Sequence, residues 1–186
     1  MLLTNKFKIG LFAFTLLFVV AMATSVSAES RTNDAQRQVA DRLAEFQRTA
    51  SQLRRQADTL NADRNSRVSW ETHSRHLANL KDHVNELGRS LAELEAMRPA
   101  ASGNQRLAIE HAGPHLVSIA QSTTRAIELL NNQRGNIHLP EYGEVASDIY
   151  DHADTLHTKL DAILDFEDAK VRLDELELQP KPFEGS

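Results

Sequence analysis

The sequence predicts an all-α protein, an up-down-up-down antiparallel four-helix bundle, on three observations. Alanine, leucine, glutamate, glutamine and arginine dominate, with only 7 Gly, 5 Pro and 5% aromatics, a balance that favours helices throughout. Trp70, His73, Leu77, Leu80, Val84, Leu87, Leu91 and Leu94 recur at alternating steps of three and four, which sets all eight on one stripe of a single long helix. Four such stretches of roughly 30 residues, each about 45 Å long as a helix, are joined by short connections. Short connections place consecutive helices side by side and antiparallel. The alternative assembly is two long helical hairpins paired as a homodimer.

The first segment of the chain is an address. Lys6 and Lys8 precede an apolar run from Ile9 to Ala23, and Val26-Ser27-Ala28 offers small residues at the −3 and −1 positions of a cleavage site. This pattern predicts a secretory signal peptide, residues 1–28, cut after Ala28. The apolar run is shorter than the ~20 residues of a spanning helix, so no stable membrane insertion is expected after cleavage. The chain has no cysteine, which closes the lipoprotein route, disulfides and thiolate metal sites. A periplasmic or secreted protein is expected, with a bundle domain over 29–178 and a flexible tail over 179–186. Net charge is −5 for the full chain and −7 without the two signal lysines, which argues against a nucleic-acid partner. The mature length is enough to bury a core unaided.

The first mature helix is expected from about Asn33 to Leu60. Val39, Leu43, Phe46, Ala50, Leu53, Ala57 and Leu60 repeat in strict 4-3 steps, a narrow seam of two apolar positions in seven. Asn33 with Gln36 can cap its start, and 61–65 is a polar turn. Helix two starts near Ser66 or Ser69 and ends at Met97, before Pro99. Ser102 with Gln105 is a capping-box pattern that starts helix three. The stripe of helix three is Ile109, Ala112/Gly113, Leu116, Ala120, Thr123, Ile127 and Leu130. Pro114 removes a helix-interior hydrogen bond and crowds the preceding turn, so a kink near Ala112–Pro114 or a broken first turn is expected.

Gly135 is a candidate cap after helix three. Pro140 suits the first position of helix four, and Glu141 and Glu144 suit its positive end. The stripe of helix four is Tyr142, Val145, Ile149, Ala153, Leu156, Leu160 and Ile163, fading after Phe166. Residues 31–64 carry seven Arg and five acids, whereas 140–178 carry twelve acids and three bases. Helices one and four are neighbours in such a bundle, so opposite charges can face each other along their flanks. Exposed pairs contribute only about 0–1 kcal/mol each, so they guide pairing more than they stabilise it.

No catalytic signature is present: no glycine-rich phosphate loop, no GxSxG, no HExxH and no CxxCH. Asp154-Thr155-Leu156-His157 is a shortened relative of the ExxH pair of di-iron bundles. In general shape alone the chain resembles periplasmic cytochrome-type bundles, with no axial Met/His pair on the core stripe, and shape carries no function. The unusual feature is histidine. His73 lies near the centre of the buried arc of helix two and His76 on its edge. His152 lies inside the arc of helix four, with Asp148 one turn before it. Counting about 1.5 Å per residue from the helix starts places His76 and His152 in nearly one layer. The ordinary reading is a core histidine bonded to Thr123 or Tyr142. The sharper one is a transition-metal site, zinc or copper, made of His73, His76, Asp148 and His152, or a haem held by two histidines. His111 with His115, an i, i+4 pair, is a second candidate with Pro114 between its members.

Two function classes follow. One is a non-enzymatic binding or scaffold protein of the cell envelope, without cofactor, whose partner is an envelope protein or a small ligand. The other is a metal- or haem-binding bundle with a histidine site between helices two and four.

Overall fold

The computed structural model describes residues 8–64, 66, 68–132 and 140–177, with side chains from Asn33 onward except those of 174, 175 and 177. Among these residues the protein is all-helical, with four helices and no strand: α1 Lys8–Asp63, α2 Trp70–Met97, α3 Gly103–Asn132 and α4 Pro140–Glu177. A 3-10 turn, Arg98–Ala100, follows α2. The chain forms two units, Met1–Gln38 and Val39–Ser186. The first holds the N-terminal part of α1. The side chains of the expected export signal, the Gly135 cap and the 179–186 tail lie outside the described residues. Among the described residues no helix is long and apolar enough to cross a membrane.

The second unit contains the core. All seven seam residues of α1 from Val39 to Leu60 are buried. His73, Leu77, Leu80, Leu87 and Leu94 of α2 are buried, and Trp70, Val84 and Leu91 pack against the core from its edge. Two stripes differ from expectation by one residue. In α3, Ile119 and Ala126 are buried where Ala120 and Ile127 were expected; in α4, Ala146 is buried where Val145 was expected. Each of these is an apolar neighbour of the expected residue, and helical period alone does not choose between adjacent apolar positions.

Helix boundaries follow local chemistry. α1 does not begin at an Asn33 cap. It runs unbroken from Lys8, because no Gly or Pro occurs between Leu11 and Leu60, and a cap needs non-helical backbone at the capping residue. α2 starts after Ser69, which has extended backbone. The capping box at the start of α3 is formed: the Ser102 N–H donates to Gln105 Oε1 at 2.9 Å, and the Gln105 N–H donates to Ser102 Oγ at 3.2 Å. α3 is continuous from Gly103 through Pro114, so its first turns are not broken. Pro140 is the first residue of α4.

Polar contacts join the helices in pairs consistent with a bundle, and α3 packs against both α2 and α4. α1 meets α2 through Thr49–Glu86 at 3.5 Å and Arg42–Glu93 at 3.7 Å. It meets α4 through Gln47–Asp161 and Arg54–Asp154, both 2.6 Å. α3 meets α4 through Arg125–Glu141, and Ser102 Oγ donates to Glu167 at 2.5 Å.

Leu80 and Leu87 are fully buried. Leu80→Ala or Leu87→Ala is expected to destabilise by about 2–5 kcal/mol, whereas Gln121→Ala at an exposed position of α3 should stay within about 0.5 kcal/mol. Urea unfolding monitored by circular dichroism measures both.

Candidate functional site

The four residues of the expected histidine site do not share one set of contacts. His73 is 1% exposed, and its Nδ1 lies 3.0 Å from the hydroxyl of Tyr142, itself 2% exposed. The rings stand edge to face at 85° with centroids 5.3 Å apart. The phenol donates its proton to Nδ1, as a buried tyrosine hydroxyl with a ring nitrogen in reach does. Burial pushes the Tyr142 hydroxyl well above its ordinary value, so it remains a donor at all ordinary pH. This is the ordinary reading of a core histidine, with Tyr142 as the partner. Thr123 is buried too, and its hydroxyl has no hydrogen-bond partner among the described residues.

His76 is engaged at both ring nitrogens. The Gln56 amide lies 2.7 Å from Nδ1, and Nε2 lies 3.3 Å from Asp63 Oδ2. The amide donates to Nδ1, so the ring proton sits on Nε2 and faces the carboxylate. Asp148 is exposed on the outside of α4. His152 meets α3 instead of α2: its Nδ1 lies 3.5 Å from Nδ1 of His115, with centroids 5.8 Å apart and rings tilted by 51°.

The reason is register. His73 is level with Tyr142, and His152 lies ten residues further along α4, about 15 Å away. The sequence count from the helix starts did not place these layers correctly. Among the described residues, no group of three or more His, Asp or Glu side chains is arranged to hold a metal ion. Asp154 and His157 are also separated by their partners, Arg54 for the first and Asp161 for the second.

The His115–His152 pair was not anticipated. Its sequence signal is the His111–His115 spacing on α3 and His152 on the arc of α4, and neither helix alone carries the level of one against the other. Lys159 Nζ, from two turns further along α4, lies 3.3 Å from His115 Nε2. The ammonium donates to Nε2, which places the His115 proton on Nδ1, directed at His152. Burial, then the charges of Lys159, His152 and His111, hold the His115 pKa below its ordinary 6.5. Between α1 and α2 a shallow cavity of about 170 Å³ is lined by Arg42, Glu45, Thr49, Glu86, Arg89, Ser90 and Glu93. Arg42 pairs with Glu45 and Glu93 on its wall, and Thr49 reaches Glu86.

No known family, curated protein or solved structure matches this chain.

Tyr142→Phe removes the hydroxyl while keeping the ring. It is expected to cost about 1–3 kcal/mol, because the His73 ring loses a buried partner. His73→Leu combined with Tyr142→Phe should recover much of that loss, since two apolar groups of similar shape need no hydrogen bond. A thermal double-mutant cycle measures both.

The lowered His115 pKa sets a second expectation. The unfolded chain binds the proton near 6.5 and the folded chain only at lower pH. The stability tied to neutral His115 is present above pH 6.5 and is lost as pH falls from there through the folded value. In metal-free buffer the melting temperature should fall between pH 7 and about pH 5.5. The fall should be smaller in His115→Gln and in Lys159→Gln.

Proposed function

We propose that the protein is an exported, non-enzymatic helical bundle of the cell envelope that works by holding a partner protein against the C-terminal part of α4. One observation carries this reading. The fully buried stripe of α4 ends at Leu160, yet the helix continues to Glu177 with Phe166 62%, Leu173 61% and Leu176 61% exposed. With Ala169 these residues follow 3-4-3 steps and share one face. Apolar residues aligned at helical spacing on a surface mark an interaction site more often than apolar residues scattered singly.

Charge selects the kind of partner. Residues 165–177 carry six acids and two bases, so the face is an apolar strip in an acidic surround. The complementary surface is a basic amphipathic helix, with apolar residues seated on the strip and Lys or Arg on the acidic flanks. Export is supported by the pattern of the first 28 residues, and a periplasmic or secreted location follows from it.

The same reading takes the bundle to be up-down-up-down. In support, seven residues forward on α1, from Gln47 to Arg54, corresponds to seven back on α4, from Asp161 to Asp154. Seven forward from Arg42 to Thr49 corresponds to seven back on α2, from Glu93 to Glu86. From Ser102 through His115 to Arg125 on the α3 side, the partners on α4 run from Glu167 through His152 to Glu141. A kink near Ala112–Pro114 belongs to the same reading, because Pro114 sits inside α3 without a hydrogen to donate to the preceding turn.

The test places a photo-crosslinking residue at Leu173 in the full chain expressed in its own host. The expected result is an adduct with one envelope protein that presents a basic helix. Purified together, the two should bind with an affinity that falls with added salt. Phe166→Asp with Leu176→Asp should remove the adduct while the melting temperature holds. An adduct with a second copy alone, or none at all, overturns the reading in favour of a homodimer or of an unengaged surface. Intact mass beginning at Glu29 supports export; the uncut chain in the membrane fraction overturns it.

A further inference from the structure

We propose that His115 of α3 and His152 of α4 form a two-imidazole zinc site across the seam between these helices, each ligating through Nδ1. The geometry selects both the atoms and the metal. Two nitrogens bound at about 2.0–2.1 Å to a tetrahedral ion stand about 3.3–3.4 Å apart. The two Nδ1 atoms already lie 3.5 Å apart. A square-planar ion would bring cis nitrogens to about 2.9 Å and need a larger rearrangement, so the spacing favours zinc over Cu²⁺. The rings are tilted at 51° to one another instead of stacked, so neither ring face covers the edge of the other where the two Nδ1 atoms meet.

Neither side chain is fixed by a strong competing bond. At 3.5 Å the contact between the two Nδ1 atoms is longer than an ordinary hydrogen bond. The backbone positions of both ligands are set by long helices, as a site on rigid elements requires. Both rings are half-buried, so the remaining two positions of the ion can be filled by water or by an external ligand. With only two protein ligands the site is not a closed, four-ligand structural zinc site.

Lys159 determines how the site loads. Its ammonium lies 3.3 Å from His115 Nε2, on the other ring nitrogen from the one facing His152. Metal on Nδ1 requires the His115 proton to move to Nε2, which ends the bond from Lys159. Lys159 is exposed, so its ammonium can turn into water. Removing that ammonium should therefore favour the metal-bound tautomer and remove a nearby positive charge.

The test uses the mature full-length protein with Zn²⁺ alone, followed by calorimetric titration and by melting, and with Co²⁺ alone for its visible spectrum. One Zn²⁺ per chain is expected, with a raised melting temperature and an intense tetrahedral Co²⁺ spectrum. His115→Gln and His152→Gln should each weaken binding by about tenfold or more, as loss of half of the protein ligands implies. His83→Gln, which lies on α2, should leave binding unchanged, and Lys159→Met should strengthen it. Circular dichroism and melting in chelator check that each variant is folded. Equal Zn²⁺ affinity in folded His115→Gln and His152→Gln overturns the proposal, as does a wild-type chain whose melting does not respond to Zn²⁺. A weak octahedral Co²⁺ spectrum overturns the assigned geometry.

Discussion

The structure depends on a narrow seam. Each helix gives the core about two positions in seven, and many of these are alanine: Ala50, Ala57, Ala108, Ala112, Ala126, Ala146 and Ala153 are all buried. Small residues let backbones approach, and the larger side chains of neighbouring helices then fill the space opposite them. Phe46, Leu53, Leu80, Leu87, Ile109 and Leu156 are among the largest fully buried side chains. A core this thin has little spare material to flow into a gap, so its buried leucines carry a large share of the stability. The rest of each helix surface is free to be polar, which is why so acidic and arginine-rich a chain still folds around one core.

Charge acts on this frame as a guide. Arg54 and Asp154 lie 2.6 Å apart with each side chain more than a third exposed, and the carboxylate holds the guanidinium above its ordinary pKa. Water competes for both groups, so the pair discriminates between registers more than it adds stability. The same holds for Arg125 with Glu141. The buried polar pair behaves in the opposite way. His73 and Tyr142 are both buried, and a register that separated them would leave polar groups in the core. Together, exposed ion pairs and one buried hydrogen bond tie α1 to α4, α3 to α4 and α2 to α4.

The all-helical class, the α1 seam and the α2 stripe were legible because most neighbours of their apolar positions are polar. Gln38, Arg42 and Arg54 sit directly beside Val39, Leu43 and Leu53 of the α1 seam, so the seam cannot slip onto them. The stripes of α3 and α4 were not open to such a reading. Ile119 and Ala120 are both apolar, as are Val145 and Ala146, and only contact decides which faces inward. The Ser102–Gln105 box and Pro140 were legible as local chemistry. The candidate site was less so, because it depends on the offset between helices. Arg125 meets Glu141, the second residue of α4, although seven residues of α3 still follow Arg125. Counting from the loop therefore misplaces α3 against α4, and no single-helix pattern reveals that His115 faces His152.

Ser102 closes one end of the bundle with two bonds from one hydroxyl. It accepts the Gln105 N–H at the start of α3 and donates to Glu167 on α4. Beyond Glu167, the described part of α4 contributes no side chain to the core. A protease that cuts after Lys170 or Arg172 would shorten the helix and leave the folded body as it was. Substitution there is likewise unconstrained by folding, so Leu173 and Leu176 bring a solubility cost that the core does not require.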